Sequence, residues 1–247
     1  MWLIELSGDH ADIEELKKLA QHCQCEIAPD HNGREYLSGS GFENLSSAEE
    51  VRAAAIKVLT LLNGIARISC GQFRPVQFAG VSQIRPDCTK AAFAHAHATG
   101  RARASADAVV IRAEGTVEPG ITPITPDLGT QRAKQIIAEP KLREIAEAIA
   151  GEITWQRLRV AFERICALVS KRSSKGAWDN ALVKNGYATP DELTRLKANM
   201  EDPRISGLHA VHGVGTGPGP KGTKMTEQQG LEFVLRLLNT YLDSQPR

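Results

Sequence analysis

The sequence predicts an α+β fold: a mixed α/β, sandwich-like domain over residues 1–115, a linker at 116–126, and an all-helical domain over 127–247. Three observations carry this expectation. A strand–turn–strand signal and strong helix-start signals fall in the first half. A tract rich in Pro, Gly and Thr, residues 114–130, interrupts regular structure. Beyond it, apolar residues recur at spacings of three and four, the mark of helices with one buried face. At 247 residues the chain also exceeds the common single-domain size, which favours two modules.

The elements follow in order. Trp2–Leu6 has strand composition, and Ala11–Cys23 carries Ile13, Leu16, Ala20 and Cys23 on one helical face. Cys25–Ala28 and Glu35–Ser38 flank His31-Asn32-Gly33, where Asn-Gly can supply the positive φ angles of a tight turn. Ser47-Ala48-Glu49-Glu50 fits a capping box, in which a hydroxyl and a carboxylate satisfy free amides at a helix start. The helix it opens shows the stripe Val51, Ala55, Val58, Leu62, Ile65. Pro75–Ile84 reads as a partly buried strand.

Residues 91–106 (AAFAHAHATGRARASA) keep a period of two. As a strand, this places His95, His97, Arg101 and Arg103 on one face and alanines on the other. The outcome is a cationic stripe that suits phosphates or an acidic partner, strengthened as the histidines protonate below about pH 6.5. The bland alternative is the solvent face of an antiparallel sheet.

In the second half the expected helices are Gly129–Ala138, Lys141–Ala150, Thr154–Ser170 (with the stripe Trp155, Leu158, Phe162, Ile165, Val169), Asp191–Met200 and Met225–Asp243. Pro140 breaks the first from the second. Residues 171–190 read as a connector.

The stretch DPRISGLHAVHGVGTGPGPKGTK, residues 202–224, is the ranked place to look for chemistry. Asp202-Pro203 is a helix-start signal and Gly213 a stop. On a helix between them, His209 and His212 flank the apolar face, at about 40° and about 340° from Ile205. Imidazoles or a guanidinium turned inward need partners, so Glu163, Glu201, Asp202 or backbone carbonyls should contact them, and Asn199 is a candidate binding residue. The glycine-rich tail is not a Walker loop, because Lys221 precedes Gly222 and two prolines remove amide donors. No metal site is expected: the spacing of His209 and His212 is not that of a metalloprotease helix, and no third ligand stands nearby. The five cysteines lack paired spacing and read as small hydrophobes, so no cofactor is assigned.

The balance of 24% charged and 42% apolar residues, with net charge +1, excludes a chain that coats polyanions along its length, so any polyanion must meet a local patch. No stretch approaches the roughly 18 apolar residues of a membrane span, and the start lacks a basic leader, which gives a cytoplasmic expectation.

Two resemblances add to these expectations. Ala198-Asn199, Pro203, Gly207, Ala210 and His212, with Trp155, Leu158 and Glu163 upstream, resemble the carboxy-terminal module of a group of uncharacterised bacterial proteins. Val211 stands where those have an arginine, which removes the Arg-His pair there. Arg204 and His209 have the spacing that marks ribonucleases of the HEPN domains, which are small helical bundles. That similarity implies metal-independent RNA cleavage, with His209 as acid or base, Arg204 on the phosphate, and His212 and Glu163 in support. An ideal helix sets Arg204 and His209 about 140° apart, so the arginine must reach round. The function expected is an interaction module or an RNA-linked defence or regulatory module, with the ribonuclease as its rival. Candidate partners are RNA or another protein, a second copy in a homodimer included.

Overall fold

A computed structural model describes residues 1–85, 90–93, 126–170, 177–201 and 224–245. The fold is α+β, with an antiparallel sheet formed by the first half of the chain and helices following it. The strands are β1 (Trp2–Ser7), β2 (Cys25–Pro29), β3 (Glu35–Gly39), β4 (Gln77–Ile84) and β5 (Lys90–Phe93), in the order β2-β3-β1-β4-β5. Register explains why one face is apolar: Ile27 pairs with Leu37, Leu37 with Ile4, Ile4 with Val81, and Val81 with Phe93. The first four of these side chains are buried. Helices α1 (His10–Ala20) and α2 (Ala48–Ser69) cover this face.

The β2–β3 turn differs from expectation. Gly33 takes a positive φ of 75°, but Asn32 does not. The connection is the longer loop Asp30–Arg34, organised by the Asp30 carboxylate, which accepts from the backbone N–H groups of Asn32 (2.8 Å) and Arg34 (3.0 Å). An Asx-type bond of this kind replaces the left-handed asparagine of a tighter turn.

The capping box of α2 is formed: Glu50 N–H donates to Ser47 Oγ, and the Glu50 carboxylate accepts from Ser47 N–H, each at 3.2 Å. Toward its end α2 is buried all round, from Leu62 to Ser69, because the sheet lies on one side and later helices on the other. Buried Asn63 is satisfied by a single residue, donating to Val76 O (2.9 Å) and accepting from Val76 N–H (3.0 Å), which fixes the entry to β4.

The second half forms α3 (Pro126–Ala138), α4 (Pro140–Ile149), α5 (Trp155–Ser170), α6 (Trp178–Lys184), α7 (Pro190–Glu201) and α8 (Glu227–Ser244). Helix α6 lies inside the stretch read as a connector. Seven residues are too few for a periodic signal, and its place comes from buried Leu182 and from Lys197 of α7, which donates to Asp179 at 2.5 and 2.6 Å. One cluster of buried apolar side chains runs from Trp2 to Leu242 and includes residues of the sheet, α2, α4, α5 and α8. The expected linker 116–126 lies outside the described residues, apart from Pro126 at the start of α3. Among the described residues, no helix is long and apolar enough to cross a membrane.

Candidate functional site

Arg204, His209 and His212 lie outside the described residues, as do His95, His97, Arg101 and Arg103. Glu163 and Asn199 are described, and both are engaged. On α5, Glu163 Oε1 accepts from Arg159 Nε at 3.0 Å, one helical turn away, so its charge is paired along its own helix. Asn199 on α7 is 1% exposed. Its Nδ2 donates to Arg195 O at 2.8 Å, and its Oδ1 accepts from Met225 N–H at 2.8 Å.

The second of those bonds shapes the site. The chain leaves α7 at Glu201 and is described again from Lys224, so Asn199 and Met225 stand at the two feet of the stretch singled out in the sequence. Arg195 Nη2 adds a bond to Lys224 O at 3.4 Å. The returning foot is tied to α5 as well: Glu227 Oε1 accepts from Trp155 N–H at 3.2 Å. A methyl group on Gly230 would lie 2.8 Å from Trp155 Cζ3 and 2.9 Å from Leu158 Cδ1, so α8 and α5 meet there without room for a side chain. Trp155, Leu158 and Asn199, three residues of the resemblance to bacterial proteins, thus converge on the start of α8. Sequence spacing alone could not reveal this, because Asn199 and Met225 are 26 positions apart.

Beside the feet, α7 and α8 enclose a groove of about 300 Å³ that includes Arg195, Met225, Gln229, Phe233 and Arg236. Arg236 donates to Glu192 Oε1 at 2.6 Å, and its guanidinium lies 5.0 Å from the Phe233 ring centroid. Backbone donation from Thr189, and then its hydroxyl and Arg236, hold the Glu192 carboxyl below its ordinary range.

No family model, curated protein or solved structure matches the chain.

Elsewhere, His10, Glu14 and Glu35 bring ligand-type atoms within 4.8 Å of one another. A cation already stands between the acids: Lys17 Nζ donates to Glu14 (2.6 Å) and to Glu35 (2.8 Å). These bonds lower the Glu14 pKa and raise that of Lys17. Cys25 and Cys166 are pushed up to about 11 and about 12 by burial, so their thiols are protonated and inert at neutral pH.

The pH dependence of stability follows from these directions. Glu14, and Glu50 through its bonds to Ser46 and Ser47, sit below their unfolded values. Their contribution is present above about pH 4.3 and is lost as pH falls through the folded pKa. Lys17 sits above its unfolded value, so its contribution is full below about pH 10.4 and is lost as pH rises through the folded pKa. Urea midpoints across pH should fall at both ends, and Lys17→Met should flatten the alkaline limb. An unchanged alkaline limb in that variant would remove the Lys17 assignment.

Proposed function

We propose that the chain is an RNA-linked interaction module that meets RNA through residues 202–224, with no catalytic role for the described residues. What supports this most is the buried Asn199–Met225 bond, which fixes both feet of that stretch on α7 and α8. A segment presented from a rigid helical base is a common way to build a binding surface. Glu163 fits the same arrangement, since its carboxylate is paired with Arg159. Charge supports RNA over an apolar partner: the stretch holds Arg204, Lys221 and Lys224 against one acid, Asp202, and His209 and His212 add charge in mild acid.

The test is binding of a single-stranded RNA oligomer across a salt series. Affinity should fall linearly on a log–log plot, and changing Arg204, Lys221 and Lys224 to alanine should reduce the slope by roughly 0.7 for each phosphate no longer neutralised. An unchanged slope would defeat the proposal. The ribonuclease alternative is read in the same tubes: metal-independent cleavage by the parent protein, abolished in His209→Ala and His212→Ala, would replace binding by catalysis, whereas cleavage by all three alike is contamination.

A further inference from the structure

Between α2, the start of β4 and the turn from α4 to α5 lies a second groove, of about 290 Å³. That volume is just below the usual span of small-molecule sites, about 300–1,000 Å³, and suits a ligand of a few heavy atoms. Its apolar wall is Ile56, Leu59 and Val76, and its polar groups are Thr60, Gln77 and Arg157. Ile56 is 42% exposed, whereas Leu59 and Val76 are almost wholly buried, so Ile56 supplies the accessible part of the apolar wall.

One end of this groove is cationic: Arg157 lines it, is exposed, and has no carboxylate partner among the described residues. Arg67, 8% exposed, follows Asn63 by one turn on the same face of α2. Its Nη1 donates to the carbonyl oxygens of Ile149 and Gly151, the free acceptors at the end of α4. Arg157 lies across the other side of Gly151, with Nη1 2.5 Å from where a Cβ would stand. No carboxylate among the described residues pairs with either arginine, and the Arg157 side chain donates to no described group. Burial, and then the like charge of Arg157, lower the Arg67 pKa. Arg67 does not line the groove, but its charge is felt at Arg157, which does, and the two favour an anion there; planar Arg donors suit a carboxylate best.

We propose that the groove lined by Ile56, Leu59, Thr60, Val76 and Arg157 is a binding site for a small organic carboxylate with an apolar body. The carboxylate lies on the Arg157 guanidinium and the Thr60 hydroxyl, and the ring or short chain covers Ile56. Such a ligand pairs with the Arg157 guanidinium, which has no acidic partner among the described residues, and removes the exposed Ile56 surface from water in one step.

Calorimetric titration of the full chain with hexanoate and benzoate tests this, beside the uncharged amides of both acids and inorganic phosphate. Saturable one-to-one binding of the acids is expected, with the amides at least tenfold weaker. Arg157→Gln should weaken hexanoate tenfold or more, about 1.4 kcal/mol, and leave the melting temperature unchanged because this side chain bonds nothing in the described protein. Ile56→Asp, which brings a like charge to the apolar wall, should abolish binding. The proposal fails if the acids do not saturate, if the amides bind equally well, or if Arg157→Gln is without effect. It fails too if phosphate binds as tightly as hexanoate, since the apolar wall would then contribute nothing.

Discussion

Gly64→Ala is expected to destabilise the protein by about 3 kcal/mol, at the upper end for overpacking a well-filled core. A Cβ at this position would run into the carbonyl group of Ala146 and stand 2.9 Å from its Cα. These are backbone atoms of α4 and cannot rotate aside, so α2 and α4 must move apart. Around the contact Ile65, Ala66, Ile145 and Ile149 are all fully buried, and separating the helices opens voids among them. The gain in helix propensity, about 1 kcal/mol for replacing a mid-helix glycine, offsets only part of this. At roughly 2–4 °C per kcal/mol for a chain of this size, the melting temperature should drop by about 6–12 °C. Gly129→Ala on α3 is the control, because a Cβ there meets nothing within 4 Å. It should be neutral or slightly stabilising. Equal stability of the two variants would mean that α2 and α4 do not approach as described.

The approach of α2 to α4 also marks where a sequence stops being informative. Local devices are legible: the Ser47–Glu50 capping box, the strand pair around Gly33, the break at Pro140 and the stripe from Trp155 to Ile165 each depend on residues within a turn or two of one another. Gly64 and Asn63 look like ordinary positions on an amphipathic helix, because their reasons lie in Ala146 and Val76, far along the chain or on another element. Arg67 is similar, since its buried charge is held by carbonyl oxygens at Ile149 and Gly151 and not by an acid that a spacing rule could find. Helix α6 escapes a periodicity argument because two turns carry too little pattern. Of the candidate site, Glu163 has its partner Arg159 within reach of an i,i+4 rule, whereas Asn199 gives no local sign of its role. A buried amide bridging two elements is invisible until both are in place.

Replacing that amide is the second large effect. Asn199→Ala should cost about 2–3 kcal/mol, because the Met225 N–H then stays buried with no acceptor, and removing one partner leaves the full desolvation penalty of the other group. Asn199→Asp separates the amide's acceptor from its donor. The carboxylate can still accept from Met225 N–H, but it faces the Arg195 carbonyl where Nδ2 had donated. Burial beside a carbonyl oxygen disfavours the charged form, so the folded pKa of this aspartate should rise above its unfolded value of about 3.9. A raised carboxyl pKa makes its contribution most favourable below the unfolded value and progressively lost as pH rises through the folded one. Asn199→Asp should therefore approach the parent's stability in acid and fall away from it at neutral pH, while Asn199→Ala keeps its deficit throughout. Both should weaken RNA binding at neutral pH, although neither touches the cationic residues of the 202–224 stretch, because the feet at Glu201 and Lys224 are no longer held together. If both variants match the parent in urea midpoint and in RNA affinity, the clamp does not hold the stretch, and the rigid base on which the proposed RNA binding rests is gone.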